Sequence, residues 1–283
     1  MDSAKHEISH VSDTALMVAA ARAVETARPS YGLVHDPFAE RLAGERGMAI
    51  LRDVDRFGQL TFGVGMRSRF LDQLLLQVLG EGESDTVLQM GAGLDARPWR
   101  LDLPGDLRWI EVDFPDILDY KAEVLASEKP SCHVERIVAD LNDGAQRQAV
   151  FSSASGRPGS MITEGLLMYL PPKTLEALAD EAARMNGIRY WLLDVASQDM
   201  MRRAHRDCQD IENVRPKDYL KGEQILDLAR SHGWRMVERR TYTGDGRAIA
   251  GDRIKELPDS ATMADDRNRP TDGDPSGVYL FGR

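Results

Sequence analysis

The chain has 283 residues, and its 36 lysines and arginines are outnumbered by 46 aspartates and glutamates, which gives a formal net charge of −10. Hydrophobic residues make up 42% and charged residues 29% of the chain, which excludes a wholly disordered protein. The acidic balance disfavours nucleic acid as a partner bound through diffuse positive charge. A chain of this length corresponds to one or two domains and can bury a large core without disulfides.

Neither a metal site nor a disulfide framework is predicted. The two cysteines, Cys132 and Cys208, lie far apart in the chain, and the histidines lack metal-ligand spacing. No apolar signal segment follows the first residues, and apolar runs such as 166–170 are much shorter than the roughly 20 residues of a membrane span. We therefore expect a soluble, cytoplasmic protein that has no membrane partner.

Residues 1–80 read as helical and are predicted to form an N-terminal cap or lid. An alanine-rich stretch predicts a first helix that ends before Pro29, because proline disfavours helical geometry in the residue before it. Asp36 and Pro37 predict the start of a second helix, as a cap followed by proline at the first helical position. Apolar residues at helical spacing predict a third helix over 66–79.

From residue 85 onward, short β-prone runs alternate with helical segments, which indicates βαβ units and a mainly parallel sheet. The predicted strands cover residues 86–90, 107–113, 133–140, 160–164 and 190–196. A helical stretch at about 198–230 precedes two more strand-like runs, 235–242 and 277–283. The polar residues between these runs, about 243–276, predict a long loop with a short helix at 254–257.

A glycine-rich turn is the strongest functional motif. Gly91, Ala92 and Gly93 directly follow the first predicted strand, and Asp113 lies at the end of the next strand, 20 residues after Gly93. Glycines allow the backbone to turn tightly and approach a ligand, while a carboxylate on the second strand can accept hydrogen bonds from ribose hydroxyls. The pattern predicts a site for a ribose-bearing ligand, with a turn that merely needed two glycines as the alternative.

The residues around this turn favour S-adenosylmethionine over NAD. A dinucleotide needs a long helix whose N-terminus faces the pyrophosphate, and Pro98, close behind the turn, leaves little room for one. Asp95, Asp113 and Asp140 each lie near a strand end, and such carboxylates suit a cofactor that has an amine, ribose hydroxyls and adenine but no phosphates. An NAD-dependent oxidoreductase and a non-catalytic binding module stay open as alternatives.

Several sequence blocks resemble the leucine carboxyl methyltransferase family, most closely its bacterial branch of polyketide and other small-molecule O-methyltransferases. The resemblance covers about residues 12–196, and its blocks are residues 14–26 (TALMVAAARAVET), 35–37 (HDP), 67–72 (RSRFLD), 91–95 (GAGLD), 111–115 (EVDFP), 139–141 (ADL) and 164–170 (EGLLMYL). One departure is Ala96, where the family commonly has a small hydroxyl residue.

The resemblance implies a class I methyltransferase fold, an α/β domain over residues 81–283. Its Rossmann-like, mainly parallel sheet has seven strands, the last of them antiparallel, with a helical insertion at about 197–232. For the adenosine half of S-adenosyl-L-methionine, the resemblance implies that Asp113 binds the ribose hydroxyls. It also implies that Asp140 and Leu141 contact the adenine and that the Asp140 carboxylate accepts a hydrogen bond from its exocyclic amine.

For the methionine half, the resemblance implies that residues 91–93 pass beneath the ligand and that Glu164 lies near its amino group. Arg67 pairs with its carboxylate, a match that arginine makes bidentately, and Arg22 is a weaker candidate for the same task. Glu164 lies in an apolar run, where an unpaired buried carboxylate would be costly, which favours a functional role. Tyr169 is the candidate for a side chain that lines the substrate cavity.

The predicted reaction is methyl transfer to an oxygen of a small molecule, such as a secondary metabolite. A carboxylate acceptor is already ionised, whereas a phenol or an alcohol needs a general base. Because no His/Asp pair identifies itself as that base, the sequence favours a carboxylate over a hydroxyl acceptor. A protein C-terminus, the acceptor of the family's eukaryotic branch, is an alternative.

Overall fold

The computed structural model describes residues 10–28, 32–55, 58–198, 200, 220, 222–250 and 274–283. Three helices come first: α1 (His10–Thr26), α2 (Ala39–Val54) and α3 (Gln59–Gly80). Strands and helices then alternate: β1 (Thr86–Met90), α4 (Arg97–Arg100), β2 (Arg108–Asp113), α5 (Pro115–Val124), β3 (His133–Val138), α6 (Gly144–Ser153), β4 (Gly159–Thr163), a 3₁₀ turn (Leu167–Tyr169), α7 (Pro172–Arg184) and β5 (Ile188–Val195). The C-terminal part contains α8 (Glu223–Ser231), β6 (Arg235–Thr241), α9 (Asp245–Ala250) and β7 (Gly277–Gly282).

All seven strands belong to one sheet, in the order β3-β2-β1-β4-β5-β7-β6. Strands β1 to β5 run parallel, whereas β7 is antiparallel to both of its neighbours, β5 and β6. The predicted α/β fold, with a mainly parallel seven-stranded sheet and an antiparallel last strand, is therefore confirmed. The strand order reverses at β1, which pairs with β2 on one side and with β4 on the other. In sheets of this kind, ligands bind beyond the carboxyl ends of the strands at such a switch point.

Helices cover both faces of the sheet, because successive strand residues point to opposite sides. On one face, Val87 and Trp109 pack in a cluster with Phe70, Leu71 and Leu74 of α3. On the other face, the neighbouring strand residues pack against α6, α7 and α8, in a cluster that includes Leu88, Ile110, Val150, Leu178 and Ile225. Helix α3 is therefore one layer of the α/β sandwich as well as part of the N-terminal segment. The division of the chain at residue 80 stays a prediction.

Helices α1 and α2 pack on each other and on the region behind the glycine-rich turn. Their cluster joins Leu16 of α1 and Leu42 of α2 to Leu94 and to Ile117 of α5. The two helices lie so close that a Cβ atom on Gly47 would come within 2.6 Å of the Leu16 carbonyl oxygen. Gly47 of α2 thus permits a tight helix pair, which lies against the carboxyl edge of the sheet.

The two later N-terminal helices begin elsewhere than predicted. Helix α2 begins at Ala39 rather than at Pro37, because Asp36 accepts the Phe38 N–H (3.1 Å) and so closes a turn before the helix. Helix α3 begins well before residue 66. The carboxylate of Asp55 accepts backbone N–H groups of the first turn of α3. Glycine-rich sequence hid this start from the propensity argument.

In the C-terminal part the strands lie where they are predicted, whereas the segment between β6 and β7 differs from the predicted loop. Strands β6 and β7 and helix α8 lie in the predicted runs. The segment predicted as a loop begins with helix α9, whereas the short helix predicted at 254–257 and the predicted helical residues 201–219 lie outside the described residues. No helix in the described part of the chain has the length and the apolar character needed to cross a bilayer.

Candidate functional site

The glycine-rich turn leaves the sheet where the strand order reverses, directly after β1. Gly91 (φ 66°) and Gly93 (φ 49°) adopt left-handed conformations that glycine reaches without strain. A Cβ atom on Gly91 would lie 2.9 Å from Cδ1 of Leu166, so a larger residue there would collide with the loop after β4. Between the glycines, the Ala92 N–H donates to the carbonyl of Val112 in β2 (3.0 Å). The turn therefore joins the carboxyl ends of β1, β2 and β4.

Asp113 ends β2 and faces this turn. Its Oδ2 accepts the Gly93 N–H (2.7 Å) and its Oδ1 accepts the Phe114 N–H (2.8 Å). Burial raises the pKa of the Asp113 carboxyl, although both backbone hydrogen bonds act in the opposite direction. Each carboxylate oxygen keeps a further lone pair, so a ligand hydroxyl can still donate to it. The structure thus brings the two parts of the sequence motif, the glycines and the aspartate, into direct contact.

Asp140 lies beside Asp113 at the carboxyl edge of the sheet, because β3 pairs with β2 and the Ala139 N–H donates to the Asp113 carbonyl (3.2 Å). Asp140 Oδ1 accepts two hydrogen bonds from Asn142, one from the backbone N–H (2.9 Å) and one from Nδ2 (3.0 Å). The neighbouring Leu141 is buried. Asp113 and Asp140, with their backbone and amide partners, make up what we call the adenosine side, after the part of the ligand that the sequence prediction assigns to them.

Two exposed apolar side chains flank these aspartates, and the sequence prediction missed both. Phe114 follows Asp113 and is 41% exposed, and Val138 ends β3 and is 57% exposed. Large apolar side chains are normally buried, so this pair leaves an unusual apolar surface open beside the two carboxylates. A usable signal was present in the sequence, since Phe114 directly follows the aspartate of the motif.

Glu164, at the end of β4, is held by two arginines. Its Oε1 accepts from Nε of Arg67 (2.9 Å) and its Oε2 accepts from Nη1 of Arg97 (2.6 Å), and the side chain is only 10% exposed. Burial alone would raise the pKa of Glu164, but Arg97 and then Arg67 outweigh it, so the pKa lies below the ordinary value. Glu164 is therefore an ionised carboxylate with a fixed orientation.

Asp194, near the end of β5, is a site residue that the sequence prediction missed. Its Oδ1 accepts the Gly165 N–H (2.6 Å), and its Oδ2 lies 3.5 Å from Nη1 of Arg67. Burial raises the pKa of Asp194. The same signal that pointed to Glu164, a carboxylate inside an apolar strand, was present at Asp194 and could have found it.

Arg97 is the centre of this group of charges, and it too was missed. Its Nε donates to Oδ1 of Asp72 (2.6 Å), and its Nη1 donates to Oδ2 of Asp95 (2.7 Å) as well as to Glu164. Arg100 contacts the same Asp72 through both of its Nη atoms (2.7 and 2.8 Å). We call the ion-paired set of Arg67, Arg97, Asp72, Asp95, Glu164 and Asp194 the methionine side, after the part of the ligand that the sequence prediction assigns to Arg67 and Glu164.

Asp95, one of the carboxylates expected near the ligand, is occupied by partners within the protein. It accepts from Nε2 of Gln89 (2.7 Å) and from Arg97, and it is buried. Burial alone would raise the pKa of Asp95, but Arg97 in particular outweighs it and holds the pKa well below the usual range. The residue is committed to the ion pairs behind the turn.

Arg22 lies behind the turn rather than beside Glu164. Its Nε donates to Oδ2 of Asp36 (2.9 Å), and its Nη2 donates to the carbonyl of Leu94 (2.6 Å). This places Arg22 as a support between α1 and the turn. Of the two arginines proposed for a ligand carboxylate, only Arg67 contacts Glu164.

Two tyrosines lie near these charges. Tyr169 is half-buried on the 3₁₀ turn, and its backbone N–H donates to the carbonyl of Leu166 (2.9 Å), the residue packed against Gly91. Tyr242, which the sequence prediction did not single out, stacks on Phe70 of α3 with ring centroids 6.3 Å apart. Burial, followed by the nearby Asp194, raises the pKa of Tyr242 well above its ordinary value, so its hydroxyl stays protonated.

Comparison with solved structures identifies the class of fold. A Thermobifida fusca structure described as a methyltransferase aligns with a TM-score of 0.55 at 18% identity, over 87% of this chain and 92% of that one. A Streptomyces avermitilis protein of the DUF574 family aligns with a TM-score of 0.53 at 13% identity, over 94% of this chain and 96% of that one. The sheet described above is therefore of the methyltransferase type.

Sequence comparison then identifies the family. The family model described as leucine carboxyl methyltransferase matches residues 15–183. A Rhodococcus jostii protein named for S-adenosyl-L-methionine-dependent methyl transfer is 30% identical over 92% of this chain and 94% of its own length. A Mycobacterium bovis protein with the same kind of name is 32% identical over 82% of this chain and 85% of its own length. The chain belongs to the leucine carboxyl methyltransferase family, which confirms the family predicted from its sequence blocks.

Proposed function

We propose that this chain is an S-adenosyl-L-methionine-dependent methyltransferase that transfers the methyl group to a carboxylate or hydroxyl oxygen of a small molecule, such as a secondary metabolite. One observation carries the proposal. The glycine-rich turn at the strand-order reversal is bonded to Asp113 on one side and packs on the other against the loop that begins with Glu164. A ligand on this turn therefore meets a carboxylate that can accept hydrogen bonds from its hydroxyls at one end, and the Arg67–Glu164 pair at the other.

The residues present fit S-adenosyl-L-methionine. The ligand carries a carboxylate, an ammonium group, ribose hydroxyls and adenine, and it has no phosphate. Gly91 leaves a space that a Cβ atom would fill, and α4, which follows the turn, has only four residues. A dinucleotide pyrophosphate would require a longer helix N-terminus at this place. The chemistry of the site thus favours this cofactor over NAD.

The adenosine side supplies acceptors and apolar surface. Asp113 accepts hydrogen bonds from the ribose hydroxyls through the lone pairs that its backbone partners leave free. Asp140 accepts the exocyclic amine of adenine, and Leu141 contacts the ring. The exposed Phe114 and Val138 add apolar area next to these carboxylates.

The methionine side supplies complementary charges. Arg67 pairs with the ligand carboxylate, and Glu164 accepts the ammonium group. Nη2 of Arg67 makes no hydrogen bond to any residue that the structure describes, so one edge of the guanidinium has a donor for this task. Gly165 makes room for Arg67, because a Cβ atom there would lie 3.1 Å from its Nη1.

The chain's main contribution to the reaction is to position the acceptor. When bound, S-adenosyl-L-methionine supplies an electrophilic methyl group on a sulfonium. Displacement at that carbon requires the acceptor oxygen to be held in line, and correct placement alone can lower such a barrier substantially. Tyr169 and Tyr242 lie near the ends of β4 and β6, where they can contact an acceptor, and the protonated Tyr242 hydroxyl acts as a donor there.

The three histidines whose side chains the structure describes support a carboxylate acceptor. His133 begins β3 at the amino edge of the sheet, opposite the site, and His35 is exposed before α2. Nδ1 of His232 lies 2.9 Å from the Leu228 carbonyl at the end of α8. None of these three side chains is placed as a base for a hydroxyl acceptor, whereas a carboxylate needs none.

Calorimetry tests the cofactor. Titration with S-adenosylhomocysteine and, separately, with NAD is expected to show binding of the first alone, and binding of NAD alone would favour the oxidoreductase. A transfer assay with labelled cofactor then compares small aromatic carboxylic acids with phenols of the same size. Turnover of phenols only would overturn the carboxylate preference.

A third arm of the assay addresses a protein acceptor. It uses a peptide that ends in a free leucine carboxylate, with the C-terminally amidated peptide as the matched control. Labelling of the free peptide, with none of the small acids, would support the protein carboxyl methyltransferase. Cofactor binding without transfer to any acceptor would support the binding module.

A further inference from the structure

Arg97 and Arg100 are two neighbouring arginines that share one partner, Asp72, and differ in their other contacts. Both belong to α4, both are almost fully buried, at 1% and 2% side-chain exposure, and both donate to Asp72 of α3. Only Arg97 also reaches Glu164, through the same Nη1 atom that contacts Asp95. Arg100 thus joins α4 to α3 and lies 4.0 Å from Asp36, whereas Arg97 contacts Glu164, the carboxylate for which we propose a role in ligand binding.

The contacts of Arg97 leave it no freedom to follow Glu164. One guanidinium nitrogen, Nε, is bound to Asp72 (2.6 Å), and Nη1 is bound to Asp95 (2.7 Å), so the plane of the group is set by α3 and by the turn. Glu164 must therefore adjust to Arg97, and its other oxygen is held at the same time by Arg67. The orientation of the Glu164 carboxylate is therefore fixed by groups from three segments that are remote in sequence.

We propose that Arg97 is a positioning residue for the amino-acid end of the cofactor, because it is fixed by Asp72 and Asp95 and holds Glu164 in one orientation beside Arg67. The inference rests on the proposed function, in which Glu164 accepts the ammonium group. An ammonium ion needs a charged acceptor at a fixed place. Without Arg97, Glu164 would keep only one of its two arginines and could rotate.

The charged groups around Glu164 indicate how the loss of Arg97 would change the pKa of Glu164. Arg67 and Arg97 favour the ionised form, whereas burial and the nearby Asp95 oppose it. Asp194 and Tyr242 belong to the same electrostatic neighbourhood. Without Arg97, the effect of burial is opposed by Arg67 alone, so the pKa of Glu164 rises. Binding that needs the carboxylate then becomes sensitive to mildly acidic pH.

The test measures S-adenosylhomocysteine affinity by calorimetry over a range of about pH 5.5 to 7.5, with R97M, R97K and R100M compared with the wild type. We expect R97M to bind about tenfold more weakly at neutral pH and to lose further affinity as the pH falls. R97K, which keeps the charge, recovers part of the affinity and most of the pH independence. R100M, which loses the same contact to Asp72, keeps the pH profile of the wild type.

A second comparison covers the case in which R97M fails to fold, because three carboxylates lose a buried partner. In an E164Q background the carboxylate charge is absent, so R97M/E164Q is expected to bind within about twofold of E164Q and to show no acid dependence. Circular dichroism and thermal melts confirm that each variant is folded.

The outcomes separate this inference from the function on which it rests. A wild type that does not bind S-adenosylhomocysteine overturns the proposed function. A wild type that binds, with R97M and R100M giving the same pH profile, overturns the role of Arg97 alone. Acid dependence that persists in R97M/E164Q assigns the effect to Asp95 and equally overturns the inference.

Discussion

The adenosine side and the methionine side lie on one edge of one sheet and are built differently. Asp113 and Asp140 are half-buried and accept hydrogen bonds from backbone N–H groups and a neighbouring amide. Asp95 is buried, the Glu164 side chain is only 10% exposed, and both are held by guanidinium groups that come from α3 and α4. The same residue type, a carboxylate at a strand end, is therefore used in two electrostatic settings.

The difference corresponds to the charge of what each side would bind. Neutral hydroxyls and an aromatic amine need acceptors, and a carboxylate satisfied by its own backbone supplies them at little cost. A zwitterion needs charges of both signs, and these must be paired before the ligand arrives, because a lone buried charge is expensive. Losing one partner of such a buried pair typically costs about 3–5 kcal/mol. We therefore expect substitutions on the two sides to differ in their response to pH.

The largest effect on binding is expected from Asp113→Ala. It removes the ribose acceptor and also the partner of the Gly93 N–H. We expect affinity for S-adenosylhomocysteine to fall about 100-fold, as two charge-assisted hydrogen bonds are lost. Calorimetry measures the loss, and D116A, at an exposed aspartate in the first turn of α5, is the control. Equal affinity of D113A and D116A would contradict the ribose assignment.

A side chain added in the glycine-rich turn, which lies between the two sides, is expected to lower the stability of the fold. Gly91→Ala places a Cβ atom at a left-handed residue and against Leu166. We expect a loss of about 2 kcal/mol in the free energy of unfolding, measured by urea denaturation. G105A is the control, because nothing lies within 4 Å of the added atom. Equal stability of the two variants would show that the turn tolerates a side chain.

On the methionine side, Glu164→Gln keeps the shape and removes the charge. We expect affinity for S-adenosylhomocysteine to fall about tenfold. The pKa of Glu164 is lowered, so wild-type binding through this carboxylate persists above the ordinary carboxyl pKa and is lost only as the pH falls through the lowered value. E181Q, at a glutamate paired with Arg147 on α6, is the control. A larger loss in E181Q would assign the effect to stability.

The smallest effect is expected from Asp140→Asn, which keeps an acceptor for the Asn142 N–H. Affinity for S-adenosylhomocysteine should fall about threefold, because one charge-assisted hydrogen bond becomes neutral. For the inosine analogue, in which a carbonyl replaces the exocyclic amine of adenine, D140N and the wild type should have equal affinity. An equal loss for both ligands would remove Asp140 from the adenine site.

Local patterns were sufficient for the strands of the sheet and for the contact between the glycine-rich turn and Asp113. The strands followed from short apolar runs between helices, and Asp113 followed from its spacing after Gly93. Both lie within one βαβ unit, where neighbouring strands pair and the geometry is nearly fixed by the fold class. The family blocks added Arg67, Asp140 and Glu164, whose roles toward a ligand stay predictions.

Arg97 and Tyr242 became visible only in three dimensions, whereas Asp194, a carboxylate inside an apolar strand, carried a sequence signal that was not used. Arg97 reads as one of two arginines in a short helix, and nothing in the sequence separates it from Arg100. Its contacts depend on how α3 lies across the sheet and on the pairing of β4 with β1. Burial and ion pairing are properties of segments that meet far apart in sequence. The chain's own pattern therefore specified the strands and the turn, and tertiary packing decided which charges meet beside them.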